Sequence, residues 1–229
     1  MRLPFSFGSS FGLTLVVLVL ANVLAHRVIP GADAAVAVAM TAALVAVAAA
    51  SRLTVRDLGL ARGTWASGAG WGAGAAAVVV VGYSVAALIP AVRDAVPPAT
   101  TTWAETLLKA LVVIPLLTVI PEEFAFRGVL WGLLRRRSGR VTATAVSSVL
   151  FGLWHVLAAM GGGAANESAT GVLGGGTGGS VLLVIGTVLF TSAAGVVFGV
   201  LRDRSDSLLA PIGLHWAVNG IGELWLQLA

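Results

Sequence analysis

Seven apolar runs divide this chain, separated by short stretches rich in Arg, Gly or Pro. They cover residues 11–25, 34–50, 65–92, 103–134, 141–160, 181–201 and 207–228. A helix that crosses a bilayer needs about 20 predominantly apolar residues. Most of the runs approach or exceed that length. The pattern predicts an all-α fold, a polytopic membrane helical bundle of about seven transmembrane helices. The first run ends at Val23-Leu24-Ala25, which has the form of a signal-peptide cleavage site. Six further runs follow without a large exported domain, so it reads as the first span.

The fourth run holds what lipid tolerates least. Pro121-Glu-Glu-Phe-Ala-Phe-Arg127 sets two carboxylates and a guanidinium between the apolar residues 110–120 and 128–134. A charge at bilayer depth costs at least ~2.5–3.5 kcal/mol on insertion scales, which marks a functional-site candidate. On a helix Glu123 and Arg127 stand four apart, share a face and can pair. Glu122 points about 100° away and lacks that partner. It is therefore the candidate general base. Pro115 and Pro121 fall in the same run. Each tends to kink a helix. Pro121 reads either as an ordinary membrane-helix proline or as the point where the helix opens to bring water to Glu122.

Composition supports the membrane reading. Of 229 residues, 58% are hydrophobic and 10% charged, with mean hydropathy +0.96. A soluble domain carries about 25% charged residues. The net charge of +4 is not a nucleic-acid footprint, because almost every Arg lies near the end of an apolar run. Arg2, the group Arg52, Arg56 and Arg62, the cluster Arg135, Arg136, Arg137 and Arg140, and the pair Arg202 and Arg204 fall on alternate connectors. Positive charge gathers on the cytoplasmic side. The expectation is a multi-pass cell-membrane protein, N-terminus cytoplasmic and C-terminus outside. The absence of Cys excludes disulfides, thiolate zinc sites and a cysteine nucleophile.

Other stretches carry less. Pro97-Pro98 marks a loop, and residues 161–180 read as a flexible Gly-rich loop, a lid or a linker. The string Gly68-Ala-Gly70-Trp-Gly72-Ala-Gly74 lacks the spacing, strand and Lys of a phosphate loop and reads as close helix packing. Gly195 and Gly199 have the same packing spacing.

Polar residues recur on two more runs. His155 lies in the fifth and His215 in the seventh, where Asn219 follows four residues later on the same face. His26 sits at a helix end beside Arg27 and reads as interfacial. Counting ~1.5 Å per residue from the basic ends puts Glu122 and Asn219 roughly 18 Å deep, His155 roughly 21 Å and His215 roughly 12 Å. Three helices thus bring polar groups to overlapping depth. A carboxylate, two imidazoles and an amide suit activation of water. Glu122 would take the proton, His155 would hold the water, and His215 and Asn219 would donate to an oxyanion. Alternatively Glu122, His155 and His215 hold zinc, a ligand set known in hydrolytic sites. Both routes end in hydrolysis of an acyl bond.

Glu122-Glu123-x-x-x-Arg127, Phe151-x-x-x-His155 and His215-x-x-x-Asn219 resemble, in order, the three motifs of the CPBP intramembrane proteases. That family includes the type II CAAX prenyl endopeptidases and proteins linked to bacteriocin processing and immunity. The resemblance divides the chain into an N-terminal three-helix membrane region, residues 1–102, and a catalytic core, residues 103–229. It implies a conical cavity opening towards the cytoplasm or the lipid, and peptide-bond hydrolysis near the C-terminus of a substrate. It places Glu122 as base, His155 on the water, and His215 with Asn219 at the oxyanion, braced by Glu123 and Arg127. Members have been argued both as glutamate-dependent enzymes and as metalloproteases. Two His on separate helices without a paired zinc motif favour metal-independent water activation here. Membrane lipids and a membrane-associated peptide or protein are the expected partners. Two competing readings are a non-catalytic membrane binder, such as an immunity or adaptor protein, and a proton-coupled transporter.

Overall fold

The computed structural model describes residues 5–93, 96, 99–161 and 164–228, and among them it holds helices and turns but no strand. Arg2 and Pro97-Pro98 lie outside the described residues. The elements are α1 (Phe7–Val28), α2 (Asp33–Ala50), α3 (Trp65–Ala87), α4 (residues 103–138), α5 (residues 140–159), α6 (Ala164–Val172), α7 (Gly176–Ser205) and α8 (residues 209–228). Among the described residues five helices are long and apolar enough to cross a membrane: Phe7–Val28, Asp33–Ala50, Arg62–Ala87, Trp103–Ala159 and Gly176–Ser205. The sequence count of seven treats α4 and α5 as separate spans and adds α8. The Arg135–Arg140 stretch is not a loop. The helix runs through it and breaks only at Gly139, whose φ of 83° a side chain would resist.

Residues 161–180 also differ from expectation. They hold α6 and the first turn of α7. The Asn166 amide donates to the Ala158 and Gly161 carbonyls, at 3.0 and 2.9 Å. It thereby supplies donors to the end of α5, where carbonyls have no helical partner.

Large apolar residues of α3 and α7, such as Val78, Leu189 and Phe190, are exposed, as lipid-facing residues are. The core runs across both halves of the chain. Leu18 of α1 and Met40 and Leu44 of α2 join Phe126, Leu130, Trp131, Phe151 and Phe198 in one cluster. Glycines set the closest approaches. A Cβ on Gly72 would stand 2.9 Å from the Leu209 carbonyl oxygen, so this glycine lets α3 cross α8. Gly70 and Gly74 of the same string face open space.

The three basic connectors meet at one end of the bundle. Arg136 donates to the Arg52 carbonyl at 2.9 Å and contacts Asp57. Burial alone would raise the Asp57 carboxyl. Hydrogen bonds from Arg136 and Thr54 outweigh that and hold it below the usual carboxylate range. Arg135 pairs with Asp206 at 3.3 Å and Arg140 with Asp203 at 3.5 Å. Exposed pairs of this kind contribute about 0–1 kcal/mol each. The fully buried Arg202 ties the corner more firmly. It donates to the carbonyls of Asp57 at 3.0 Å, Arg56 at 3.2 Å and Arg127 at 3.3 Å. The start of α1 and the end of α2 lie at this end too, joined by the 2.7 Å bond from Ser51 to Ser10. The α1–α2 turn is therefore at the opposite end.

Candidate active site

Two prolines shape the helix that carries the carboxylates. A proline has no N–H, so the carbonyl four residues earlier loses its donor. The chain answers by widening. Residues Lys109–Val119 and Phe124–Leu130 are π-helical, and the Ile120 N–H reaches back five residues to the Pro115 carbonyl. The helix is thus continuous at Pro121 rather than opened. π-helical segments are rare and gather at functional sites.

Glu123 and Arg127 are fully buried and joined at 3.1 Å. The guanidinium also donates to the Gly195 carbonyl at 3.2 Å and lies over the rings of Phe151 and Phe198, at 4.2 and 4.8 Å. A Cβ on Gly195 would stand 3.0 Å from Ser148 Cα and 3.1 Å from that guanidinium, closer than ordinary van der Waals contact. The same Glu123 oxygen accepts from His215 Nδ1 at 2.8 Å. The His215 ring stacks on Phe198 with centroids 5.1 Å apart. Its other nitrogen, Nε2, stands 4.0 Å from Glu122 Oε2. His215 therefore lies between the two carboxylates.

Glu122 faces the other way. Its Oε1 accepts from Trp154 Nε1 at 3.1 Å. Its Oε2 is buried without a hydrogen-bond partner. Glu122, Trp154 and His155 line one cavity of about 530 Å³. His155 sits at the irregular turn of α5, where its Nδ1 lies 2.8 Å from the Phe151 carbonyl. A carbonyl only accepts, so Nδ1 carries the proton and Nε2 keeps a lone pair. The Asn22 amide of α1 holds this turn by donating to the Trp154 carbonyl at 2.7 Å.

Glu122 and His155, carried by different helices, thus share one cavity, and a family model for Rce1-like type II CAAX prenyl endopeptidases matches residues 104–221, a span that contains them both with His215 and Asn219. The chain belongs to the Rce1-like family. No curated protein and no solved structure matches it.

Asn219 of this Rce1-like chain lies apart from the Glu122 cavity. It lines the next crevice with Tyr83, Glu223 and Trp225. Thr118 borders both spaces. Residues Ala217–Ile221 around it are π-helical.

Zinc would draw on Glu122, His155 and His215. Among the described residues no group of three or more His, Cys, Asp or Glu side chains converges as a metal site needs. This donor set does not fit a zinc ion held by all three.

Trp154 escaped the sequence reading. The signal was present, since a buried indole N–H needs an acceptor and this Trp directly precedes His155. A hydrogen bond to a charged group is worth about 1.5–3 kcal/mol. Trp154→Phe keeps the ring and loses the donor. Steady-state cleavage of a reporter peptide is expected to show kcat reduced about tenfold or more with KM little changed. An unchanged kcat would remove Trp154 from the positioning of Glu122.

Proposed function

We propose that this chain is an intramembrane endopeptidase that hydrolyses a peptide bond of a membrane-associated peptide or protein with water activated by Glu122. One observation carries the reading. Glu122, which has one buried carboxylate oxygen without a hydrogen-bond partner, lines the same cavity as His155. Water between them gives one proton to Glu122 and is steadied by the His155 Nε2 lone pair. The oxygen attacks the scissile carbonyl carbon, and Glu122 passes its proton to the departing amine.

The developing oxyanion needs donors. Asn219 Nδ2 would supply one to a substrate that reaches past Thr118, the residue that borders both spaces. The other comes from His215, which Glu123 holds through Nδ1. Glu123 and Arg127 act by holding His215 and α4, without touching substrate.

The test is a panel of quenched membrane-anchored peptides, prenylated and unprenylated, offered to the protein in lipid nanodiscs with and without a zinc chelator. Wild type is expected to cut at least one internal peptide bond, and chelation is expected to leave the rate unchanged. A panel left wholly uncut would count against the peptidase reading. Activity lost to the chelator and restored by zinc would overturn water activation by Glu122 and His155 alone.

A further inference from the structure

The cavity that holds Glu122 and His155 has a second end. Its walls come from α1 and α2 as much as from α4 and α5, and it reaches His26, Gly31 and Asp33 at the α1–α2 turn. That turn is opposite the end where the arginine-rich connectors meet, so the cavity reaches the face away from the one that the Arg pattern assigns to the cytoplasm, unlike the cytoplasmic opening that the resemblance implies. Between the two ends the α1 and α2 walls are small or apolar, as at Ala21, Ala37 and Met40. Asp33 is exposed in the first turn of α2 and has no ion pair among the described residues. Arg27 neighbours the turn but does not line the cavity.

We propose that substrate enters through this mouth, from the membrane face opposite the arginine-rich end, and that Asp33 selects a cationic group about three residues from the scissile bond. The proposal rests on the peptidase reading of the site. Along α2 the cavity extends from Asp33 to Met40, about 10 Å at 1.5 Å per residue. An extended chain covers that distance in about three residues at ~3.3 Å each. A low-dielectric slot with Glu122 at the inner end and Asp33 at the mouth concentrates cations and excludes anions. A peptide that brings Lys, Arg or a free amine to the mouth places its apolar residues against the alanines and its bond beside Glu122. His26, beside Asp33, adds a hydrogen-bonding group at the same level.

The chain has no Cys, so single-cysteine variants report cleanly. Ala37→Cys and Ala25→Cys put a thiol on the cavity wall, and Ser138→Cys puts one at the arginine-rich end. Sealed vesicles holding each variant are treated on one face or the other with membrane-impermeant methanethiosulfonates, one cationic and one anionic. The two cavity variants are expected to react from the face opposite to the one that modifies Ser138→Cys. The cationic reagent is expected to react about tenfold faster at Ala37→Cys, and adding Asp33→Asn is expected to shrink that ratio severalfold.

Reaction of both cavity variants from the Ser138→Cys face, no reaction from either face, equal rates for the two charges, or a ratio indifferent to Asp33→Asn would each overturn the proposal. These rates need no hydrolysis, so they decide access and selection even where the peptidase reading fails. With a cleavable peptide, Lys three residues from the bond is expected to outperform Glu in wild type, and Asp33→Asn to narrow the gap. The opposite order would also overturn the selection.

Discussion

Glu122→Gln is expected to abolish turnover and leave the fold intact. The amide is nearly isosteric with the carboxylate, and its oxygen still accepts from Trp154 Nε1. What it loses is a basic oxygen at the position of Oε2, which is buried and unpartnered, 4.0 Å from His215 Nε2. Removal of a general base costs typically 10²–10⁴-fold in rate. Peptide cleavage by the purified variant, set beside its thermal midpoint, checks both halves. Activity within a few-fold of wild type would remove Glu122 from the base role. A collapsed midpoint would mean that its contact with Trp154 is chiefly structural.

Glu123→Ala is expected to cost stability as well as activity. It leaves the Arg127 guanidinium fully buried with one hydrogen-bonded carbonyl, that of Gly195, and the rings of Phe126, Phe151 and Phe198 for company. Breaking one partner out of a buried ion pair costs about 3–5 kcal/mol. The same change frees His215 Nδ1, so the imidazole beside Glu122 loses its anchor. The variant should melt well below the parent in detergent and show little cleavage even below its midpoint. A variant as stable as the parent would contradict the bracing role. Arg127→Ala should fall in the same range, because it strands Glu123 instead.

Much of this was legible in the chain, for an identifiable reason. Charge in lipid is expensive, so a Glu-Glu-x-x-x-Arg stretch announces itself, and its spacing gives the Glu123–Arg127 bond directly. The His residues stand out on the same ground. The walls of the cavity do not. Ala37 and Met40 of α2 face the site while Val38 and Val45 on the same helix are exposed, yet both sets are apolar. In a bilayer, packing and lipid accept the same side chains, so hydrophobic periodicity no longer marks the buried face. The share of α1 and α2 in the site was hidden for that reason, and His26 read as a bystander at a helix end.

Backbone geometry was the second gap. Spacing arguments assume 3.6 residues per turn. The Glu123–Arg127 pair forms although Phe124–Leu130 is π-helical, whereas Asn219, within the π-helical Ala217–Ile221, lines a different crevice from Glu122. Residues 161–180 were misread because glycine content outweighed the local cap that Asn166 provides. Gly139 is the converse case: the arginine-rich stretch around it looks like a loop, and one left-handed residue makes the whole break.

The central claim is that Glu122 and His155 work from one chamber on one peptide bond. The most direct measurement is an electron cryomicroscopy structure of the Glu122→Gln variant holding an uncleaved substrate peptide. The account predicts the scissile carbonyl within about 3.5 Å of a water that also touches residue 122 and His155 Nε2. A peptide seated in another crevice, with residue 122 and His155 facing separate spaces, would contradict it.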